Sequence, residues 1–341
     1  MFNVASLMRK QREIEFVSRP TGMPTAQNFR LVEREIPEPG PGEVLVRNTF
    51  MSVDPYMRGR MNDVKSYVPP FAIGAALDGG ATGVVERSDD PNLPVGTSVL
   101  HGLGFRDYAV GPSKLFRPID TTHVPASAYL GVLGMPAFTA WIGLFVIDNV
   151  GKDDVVLISS AAGAVGSIAG QLAKRRGARV IGTTRNEESA RVLREKLHFD
   201  ETIVTKPGEI GKQLRAAAPD GISFYFDNVG GELLEAALVS LRDFGRASIC
   251  GMISSYNDVQ PGPRTIGLII PKRLKLQGFI VTDHSENLPQ FLADVGPAVA
   301  KGEIVGLESF VDGLEHAPDA LLSLFSSTGH VGKMLVRLTP P

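Results

Sequence analysis

The chain of 341 residues has few of the side chains that bind metals through sulfur or imidazole: one cysteine, Cys250, and six histidines. A single thiol excludes an internal disulfide framework, a four-cysteine structural zinc site and a cysteine-pair redox centre. The histidines are scattered without the short spacing of metal-ligand pairs: His101, His123, His198, His284, His316 and His330. These two shortages argue against a zinc enzyme.

Long apolar runs and blocks of like charge are also missing. No stretch reaches the roughly 18 uninterrupted apolar residues of a membrane helix. Residues 1–12 lack the apolar core of about 7–15 residues that a secretory signal needs. Lys and Arg number 35 against 37 Asp and Glu, a net charge of −2, which argues against a nucleic-acid or anionic-membrane partner. With 43% hydrophobic and 21% charged residues, we expect a globular protein of the cytoplasm.

The chain divides into parts that differ in their pattern of apolar, Pro and Gly residues. Residues 1–125 contain short runs rich in Val, Thr and Leu at 44–53, 82–87 and 97–100, separated by Pro/Gly clusters. Short strands punctuated in this way are typical of a compact barrel-like or sandwich-like β domain. The chain is long enough for about two domains of roughly 100–200 residues each.

From about residue 126 the pattern changes to strands of about five residues that alternate with helices of about ten. Over residues 126–306 this alternation predicts an α/β domain with a doubly wound parallel sheet. β character returns in residues 307–341, with a helix predicted at 317–326 and a strand at 334–338. The economical arrangement has this tail return to the first domain.

A glycine turn follows the first predicted strand of the α/β region, residues 155–159. The turn reads SAAGAVG, with Ala161, Gly163 and Gly166 at the three glycine places of the G-x-G-x-x-G pattern. Gly163 permits close backbone approach to a pyrophosphate, whose charge the N-terminus of the next helix favours. Gly166 and Gly170 let that helix pack closely. Strand, turn and helix together favour dinucleotide binding over a tight turn in a ligand-free α/β domain.

The second strand of this region ends at Arg185, about 20 residues past the glycines. NAD sites usually place a carboxylate here, on the ribose 2′-hydroxyl, whereas a cation suits the 2′-phosphate of NADP. The alternative is a solvated arginine at a helix start, and the neighbouring Glu187 and Glu188 weaken the electrostatic case. Arg185 therefore predicts NADPH as the cofactor.

Six segments spread over nearly the whole chain carry a family resemblance. They are MSVDPYMR at 51–58, MPAFTA at 135–140, the glycine turn at 162–166, FDNVGG at 226–231, CGMISSYN at 250–257 and QGFIV at 277–281. In this order they resemble the zinc-independent medium-chain dehydrogenase/reductases, specifically the leukotriene B4 dehydrogenase/prostaglandin reductase and 2-alkenal reductase group. Single motifs such as the glycine turn are generic, but the set is specific to this group.

The resemblance implies a GroES-like catalytic domain packed on a Rossmann domain, with cofactor and substrate in the cleft between them. It also implies a homodimer joined through the Rossmann sheets. The implied reaction is the NADPH-dependent reduction of a carbon–carbon double bond conjugated to a carbonyl, as in an α,β-unsaturated aldehyde or ketone.

The family's cofactor contacts, carried over residue by residue, fall on turns and loops that follow predicted strands. They are Ala162, Gly163, Ala164, Val165, Gly166, Asn228, Cys250, Gly251, Ser254, Tyr256, Phe279, Ile280 and Val281. Three positions depart from the family. Ser189 or a neighbour stands where relatives often have a lysine for the 2′-phosphate, and Thr205 lies near their usual tyrosine. His330 replaces the Asn of Asn-x-Gly-Lys. Arg185 must then hold the 2′-phosphate, and His330 is assigned to the cofactor's carboxamide or ribose end.

Hydride addition to the β-carbon of such a substrate leaves an enolate, which needs a hydrogen-bond donor at its oxygen. Tyr256 is the candidate donor, because the resemblance places that tyrosine beside the nicotinamide ribose; the alternative is a packed loop tyrosine. Tyr67 is a second candidate on the opposite wall, or else a lid residue. Tyr56 is expected to shape the wall of the substrate pocket. Cys250, at the end of a predicted strand, fits a buried small apolar residue.

Two other functions stay open. A quinone reductase of the same superfamily also lacks zinc and uses hydride, so kinetics on a 2-alkenal, an enone and a quinone are needed to separate them. A non-catalytic NADPH-binding regulator would keep Gly163, Gly166 and Arg185 but could lose the donor at Tyr256.

Overall fold

The computed structural model describes residues 9–258, 261–326 and 330–338. These residues form two compact units. The first unit contains the chain up to Leu130, Phe310–Leu324 and the residues from Met334 onward, and the second contains Gly131–Ser309 and Phe325–Lys333. No helix of the described ranges is long and apolar enough to cross a membrane.

The strands in chain order are β1 (Lys10–Phe16), β2 (Phe29–Glu35), β3 (Glu43–Ser52), β4 (Ala75–Ala76), β5 (Ala81–Ser88), β6 (Ser98–His101), β7 (Tyr108–Pro112), β8 (Arg117–Pro118), β9 (Val155–Ile158), β10 (Arg179–Thr184), β11 (Glu201–Val204), β12 (Ile222–Asp227), β13 (Leu241–Ile249), β14 (Lys275–Gly278), β15 (Glu308–Asp312) and β16 (Lys333–Arg337). The α-helices are α1 (Met57–Arg60), α2 (Met135–Phe145), α3 (Gly166–Arg175), α4 (Glu187–Glu195), α5 (Ile210–Ala217), α6 (Gly231–Ser240), α7 (Ile269–Lys272), α8 (Leu288–Ala300) and α9 (Ala317–Ser323).

The first unit is built from antiparallel strands. One sheet has the order β2-β1-β4, and the other has the order β15-β16-β3-β5-β6-β8 with β7 also paired to β3. The runs predicted as strands at 44–53, 82–87 and 97–100 are β3, β5 and β6. Their inward residues form an apolar cluster with neighbouring strands and loops: Val44, Val46, Val85, Leu93, Val99, Ala109 and Phe116.

The second unit contains the predicted doubly wound sheet, with the strand order β11-β10-β9-β12-β13-β14 and parallel pairing throughout. Two strands, β10 and β11, therefore lie on one side of β9 and three on the other, which is the dinucleotide-binding order. The direction of travel reverses between β9 and β12. In open α/β sheets ligands bind outside the carboxyl ends of the strands at this switch point. The predicted fold class is confirmed.

Apolar residues at helical spacing cover one face of this sheet. Ile210 and Leu214 of α5 and Leu234 and Leu238 of α6 pack on the buried strand residues, among them Tyr225. On α2, the indole of Trp141 donates to Asp294 Oδ2 on α8 at 2.9 Å. These contacts hold the strands rigidly, so that the loops at their carboxyl ends start from fixed positions.

The alternating pattern of residues 126–306 also predicts strands at 246–250 and 276–281, and the boundaries of both differ in the structure. The strand predicted at 276–281 is β14, which ends at Gly278 because its partner β13 ends opposite it, at Ile249. The β-branched run after Gly278 has no partner strand there and continues as a 3-10 turn over Val281–Asn287. The strand predicted at 246–250 begins earlier, at Leu241, and contains an irregularity with Phe244 at φ 62°.

Candidate active site

The glycine turn joins β9 to α3 with a backbone that only small residues can follow. The Gly163 N–H donates to Ser160 O at 2.9 Å, and Ser160 itself lies at φ 48°. A Cβ added at Gly166 would lie 2.5 Å from Ser160 O and 2.8 Å from Ala161 Cα. Such a contact is sterically forbidden, so glycine at 166 brings the start of α3 against the turn. The N–H groups of Ser167, Ile168 and Ala169 in the first turn of α3 donate to Gly163 O or Val165 O, so what this turn offers an anion is the positive end of the helix dipole.

The C-terminal segment closes on this turn. The Gly332 N–H donates to Ala162 O at 2.7 Å, and Gly163 and Gly332 form a parallel bridge. Gly332 lies at φ 79°, and a Cβ there would fall 2.0 Å from Leu307 O. Only glycine fits at this position. The motif at 330–333 therefore holds the glycine turn through backbone contacts of Gly332.

His330 lies two residues before Gly332 and is half-buried. Its Nδ1 is buried and has no hydrogen-bond partner among the described residues. Burial lowers the pKa of His330, and the cations Arg185 and Lys333 lower it further. The imidazole is therefore neutral at pH 7 and retains an unused polar atom.

Arg185 follows β10 directly and is exposed. One guanidinium N–H donates to Ser326 O at 2.5 Å. The next residue, Asn186, caps α4 by accepting the Ser189 N–H at 2.8 Å. Ser189, where the family often has lysine, is buried at the helix start. The structure thus places Arg185 and His330 at the same corner of the second unit.

A buried carboxylate organises the carboxyl end of β12. Asp227 Oδ1 accepts hydrogen bonds from the Tyr225 hydroxyl at 2.7 Å, from Ser159 Oγ at 3.1 Å, and from the Val229 and Gly230 N–H groups at 2.8 and 2.9 Å. Asp227 Oδ2 has no partner among the described residues. Burial raises the pKa of Asp227 even though these donors oppose the rise. The carboxylate fixes the turn that follows β12 from inside.

Asn228 and the loop after β13 are tied to the same residues. Asn228 donates its backbone N–H to Ser159 Oγ at 2.7 Å and its side-chain amide to Ser159 O at 2.8 Å. The N–H groups of Cys250 and Gly251 both donate to Asp227 O, at 2.8 and 3.1 Å. Burial raises the pKa of the Cys250 thiol to about 12, with Asp227 adding to the rise. The thiol stays protonated at neutral pH and is no nucleophile.

Tyr256 lies on the loop after β13, in a short 3-10 turn over Ile253–Ser255 that ends at this tyrosine. A Cβ added at Gly251 would lie 3.2 Å from the Tyr256 hydroxyl, so the ring folds back over the start of its own loop. Ser254 Oγ donates to Val229 O at 2.7 Å and joins this loop to the turn after β12. The structure therefore brings the loop after β13 against the turn at Asn228. This loop contains the predicted contact residues Cys250, Gly251, Ser254 and Tyr256.

The three predicted cofactor contacts that follow β14 line the adjoining edge of the sheet. Phe279 is half-buried and meets Phe226 edge-on, with ring centroids 6.5 Å apart. Gly143 on α2 makes room for this pair, because a Cβ there would lie 2.5 Å from the Phe226 ring and 2.9 Å from Phe279. Ile280 and Val281 continue from Phe279 and are half-buried.

Tyr56 and Tyr67 lie in the first unit, where both line one small hollow. Arg60 forms another part of its wall; its guanidinium is ion-paired with Asp78 and stacks over Phe71 at 4.0 Å. Burial raises the pKa of Tyr56, and the Asp54 charge raises it further, so its hydroxyl stays protonated. Tyr67 is 59% exposed at the rim.

Comparison with known proteins follows this geometry. Residues 12–119 match the family model described as the N-terminal domain of oxidoreductase, and residues 164–295 match the model described as zinc-binding dehydrogenase. The chain is 37% identical to the NADPH-dependent curcumin reductase of Escherichia coli, over 97% of this chain and 98% of that protein. It is also 37% identical to the NADP-dependent 2-alkenal reductase of Nicotiana tabacum, over 94% of this chain and 95% of that one.

This chain belongs to the zinc-independent medium-chain dehydrogenase/reductases. The crystal structure of CurA from Vibrio vulnificus in complex with NADPH matches this medium-chain reductase with a TM-score of 0.90 and 40% identity, covering 97% of this chain and 100% of that one. In the described ranges, no group of three or more His, Cys, Asp or Glu side chains is placed to hold a metal ion.

Sequence reasoning about this medium-chain reductase did not find Asp227 and Ser159. Both end neighbouring parallel strands, and both connect the predicted contact residues to each other. In FDNVGG, a carboxylate at the end of a buried apolar strand indicates a position that must be surrounded by hydrogen-bond donors. The buried oxygen needs donors, and the chain has arranged its own loop N–H groups to supply them.

Proposed function

We propose that this protein reduces the carbon–carbon double bond of α,β-unsaturated aldehydes or ketones with NADPH. The observation that carries the proposal is the 40% identity, over 97% of the chain, to a CurA enzyme whose structure contains NADPH. The curcumin and 2-alkenal reductases that resemble it along nearly their whole length act on conjugated carbonyl substrates, to judge by their names.

The residues present fit such a cofactor. The glycine turn packs closely against the N-terminal end of α3, since a Cβ at Gly166 would lie 2.5 Å from Ser160 O, and this positive end of the helix suits a pyrophosphate. We assign Arg185 to the 2′-phosphate. The remaining assignments follow the resemblance: Ala162, Gly163, Ala164, Val165 and Gly166 for the pyrophosphate, and Asn228, Cys250, Gly251, Ser254, Tyr256, Phe279, Ile280, Val281 and His330 for the rest of the cofactor. When bound, NADPH supplies a hydride.

Tyr256 is the proposed donor to the substrate oxygen. Negative charge develops on that oxygen as the β-carbon accepts hydride, and a fixed O–H donor stabilises it by a few kcal/mol, or about 10²–10³ in rate. The Tyr256 loop is attached through Ser254 Oγ to Val229 O and through Gly251 N–H to Asp227 O. Such attachment keeps the hydroxyl from reorganising when the charge appears.

Tyr56 and Tyr67 are proposed to contact the substrate. The hollow that they share is small, and Val64, Val68 and Pro70 form the apolar part of its wall. Because Tyr56 is mostly buried and Tyr67 is at the rim, we assign Tyr56 to the wall and Tyr67 to a second, weaker donor position.

A homodimer completes the proposal. β14 ends the six-stranded sheet, and β13 is its partner within the described residues. Large apolar side chains stand exposed near this edge, with Ile270 81% and Phe244 66% accessible. We expect light scattering to give twice the chain mass and Ile270→Asp to shift it toward the monomer. Val95→Asp, a change at a 64% exposed site of the first unit, is the control. A monomeric wild type would refute this part.

Steady-state kinetics test the reaction. We expect NADPH oxidation with a 2-alkenal and with an enone, a lower kcat/KM with a quinone, and a higher KM for NADH than for NADPH. A quinone as the best substrate would replace the proposed activity by quinone reduction. Binding of NADPH without oxidation on any activated alkene or quinone would indicate the non-catalytic regulator.

A further inference from the structure

One corner of the second unit brings Arg185, an exposed cation, near the half-buried imidazole of His330. Arg185, at the carboxyl end of β10, makes no ion pair among the described residues; its bond to Ser326 O occupies one N–H and leaves the others for a ligand. His330 lies close enough for the Arg185 charge to act on it. Lys333, on β16, is the other cation that acts on this imidazole.

The acidic side chains described around this corner lie beside cations other than Arg185. The turn at 162–166, to which Gly332 fastens this segment, contains no titratable side chain. A Cβ added at Gly131 would lie 3.7 Å from Lys333 Cγ and 4.0 Å from Glu308 Oε1, so the carboxylate of Glu308 accompanies the lysine. Glu187, the nearest acid after Arg185 on the chain, is ion-paired with Arg194. No acidic side chain of the described residues forms an ion pair with Arg185.

Two neighbouring basic side chains, one with a buried nitrogen that has no partner among the described residues, are unfavourable by themselves and favourable around an anion. The position at the end of the second strand is where the adenosine ribose of a dinucleotide lies. We infer that Arg185 and His330 together hold the 2′-phosphate of NADPH, with His330 in place of the lysine that the family has on the following helix.

This inference rests on the proposed cofactor and changes one assignment within it. By resemblance, His330 belongs at the carboxamide or ribose end. Arg185 bonds to Ser326 O, on the same segment as His330, and its charge acts on the imidazole, so we assign His330 to the phosphate end instead. Arg185 supplies a permanent charge, and His330 supplies a hydrogen bond that becomes charge-assisted when the imidazole takes up a proton.

Proton uptake has a definite sign. The pKa of free His330 is lowered, so the imidazole is neutral at pH 7. A phosphate dianion beside it favours the imidazolium and raises its pKa. Binding then takes up protons at pH values between the free and bound pKa, and affinity for NADP⁺ rises as the pH falls through the bound pKa.

Calorimetry with NADP⁺ and NAD⁺, which differ only in the 2′-phosphate, tests the assignment on the full chain without a substrate. We expect Arg185→Ala and His330→Ala each to weaken NADP⁺ binding about 10-fold or more, the size of one hydrogen bond to a charged group, and to leave NAD⁺ binding nearly unchanged. The control Arg215→Ala removes an exposed cation from the last turn of α5, which lies at the opposite end of the strands, and leaves both affinities unchanged.

The outcomes separate the inference from the proposed function. Equal losses for NADP⁺ and NAD⁺ in His330→Ala would return His330 to a part of the cofactor common to both and overturn the inference. Unchanged affinities would also overturn it. A wild-type protein that binds neither dinucleotide would refute the proposed cofactor itself.

Titrations in two buffers of different ionisation enthalpy measure the proton directly. We expect a fractional proton uptake on NADP⁺ binding near pH 7 that is smaller in His330→Asn. That variant keeps an amide donor, so it should regain part of the affinity lost in His330→Ala. Proton uptake as large in His330→Asn as in the wild type would show that another group titrates, and would overturn the role of His330. Trp141 emission confirms that each variant is folded.

Discussion

For Gly170 on α3, the structure predicts both the sign and the size of the change in stability when alanine replaces the glycine. Replacing a helical glycine by alanine normally stabilises a protein by about 0.5–1 kcal/mol. At Gly170 the added Cβ would lie 1.9 Å from Phe199 Cζ, whereas carbon atoms in contact are roughly 3.5–4.0 Å apart. The ring would have to move by more than an ångström.

Phe199 has no room for that movement. On its other side the ring lies against Gly182 of β10, where an added Cβ would be 2.7 Å from Phe199 Cδ1. The ring is fully packed between two glycines, so the cost belongs at the upper end of the about 1–3 kcal/mol typical of overpacking. After subtraction of the helix gain, we expect Gly170→Ala to destabilise by about 2 kcal/mol.

Urea unfolding followed through Trp141, the single tryptophan, measures this in the second unit. Gly211→Ala on α5 is the matched control, because nothing lies within 4 Å of its added Cβ, and it should stabilise by about 0.5 kcal/mol. Phe199→Leu removes the clashing ring atoms, so Gly170→Ala should cost much less in that background. If Gly170→Ala stabilised the protein as Gly211→Ala does, the argument from close packing would be wrong.

Further predictions concern the donor, the thiol and the buried imidazole. Tyr256→Phe should lower kcat by about 100-fold while the KM for the enone changes little, because the lost bond forms mainly with the enolate; an unchanged kcat in stopped-flow assays removes Tyr256 from the mechanism. Cys250, with its pKa raised to about 12, should react with a disulfide reagent at pH 8 far more slowly than after unfolding in urea, and equal rates would contradict its burial. Burial lowers the pKa of His101 to about 3. The unfolded chain therefore binds one more proton between about pH 6.5 and pH 3, and stability falls as the pH drops through this range. Unfolding free energies of His101→Gln should show a shallower pH dependence, and an identical slope would refute the assignment.

Local patterns predicted the second unit well. The run VVLI and its glycine turn require a buried strand, a tight connection and a helix, and each of these is decided by neighbours along the chain. Strand ends were predicted less well. β14 stops at Gly278 because β13 stops opposite it, and a partner more than 20 residues earlier cannot be read from the apolar run itself.

β1 shows another limit of pattern reading. Its sequence KQREIEF looks like a solvated segment, yet Gln11, Glu13 and Glu15 are buried in the sheet. Arg30 and Arg34 of β2 pair with Glu15 and permit its burial. The pairing joins residues 15 or more positions apart, and binary hydrophobicity carries no information about it. Asp227 is a mixed case, because its donor Ser159 lies 68 positions earlier whereas Tyr225, Val229 and Gly230 lie within three positions of it.

The bond between Gly332 and Ala162 also sets the order in which the dinucleotide site can be completed during synthesis. Strand β9, the glycine turn and α3 leave the ribosome before the segment that closes the turn. A nascent chain that ends at residue 306 has every strand of the six-stranded sheet but lacks Gly332. The hydrogen bond from Gly332 to Ala162 therefore forms only after all six strands of that sheet have been synthesised.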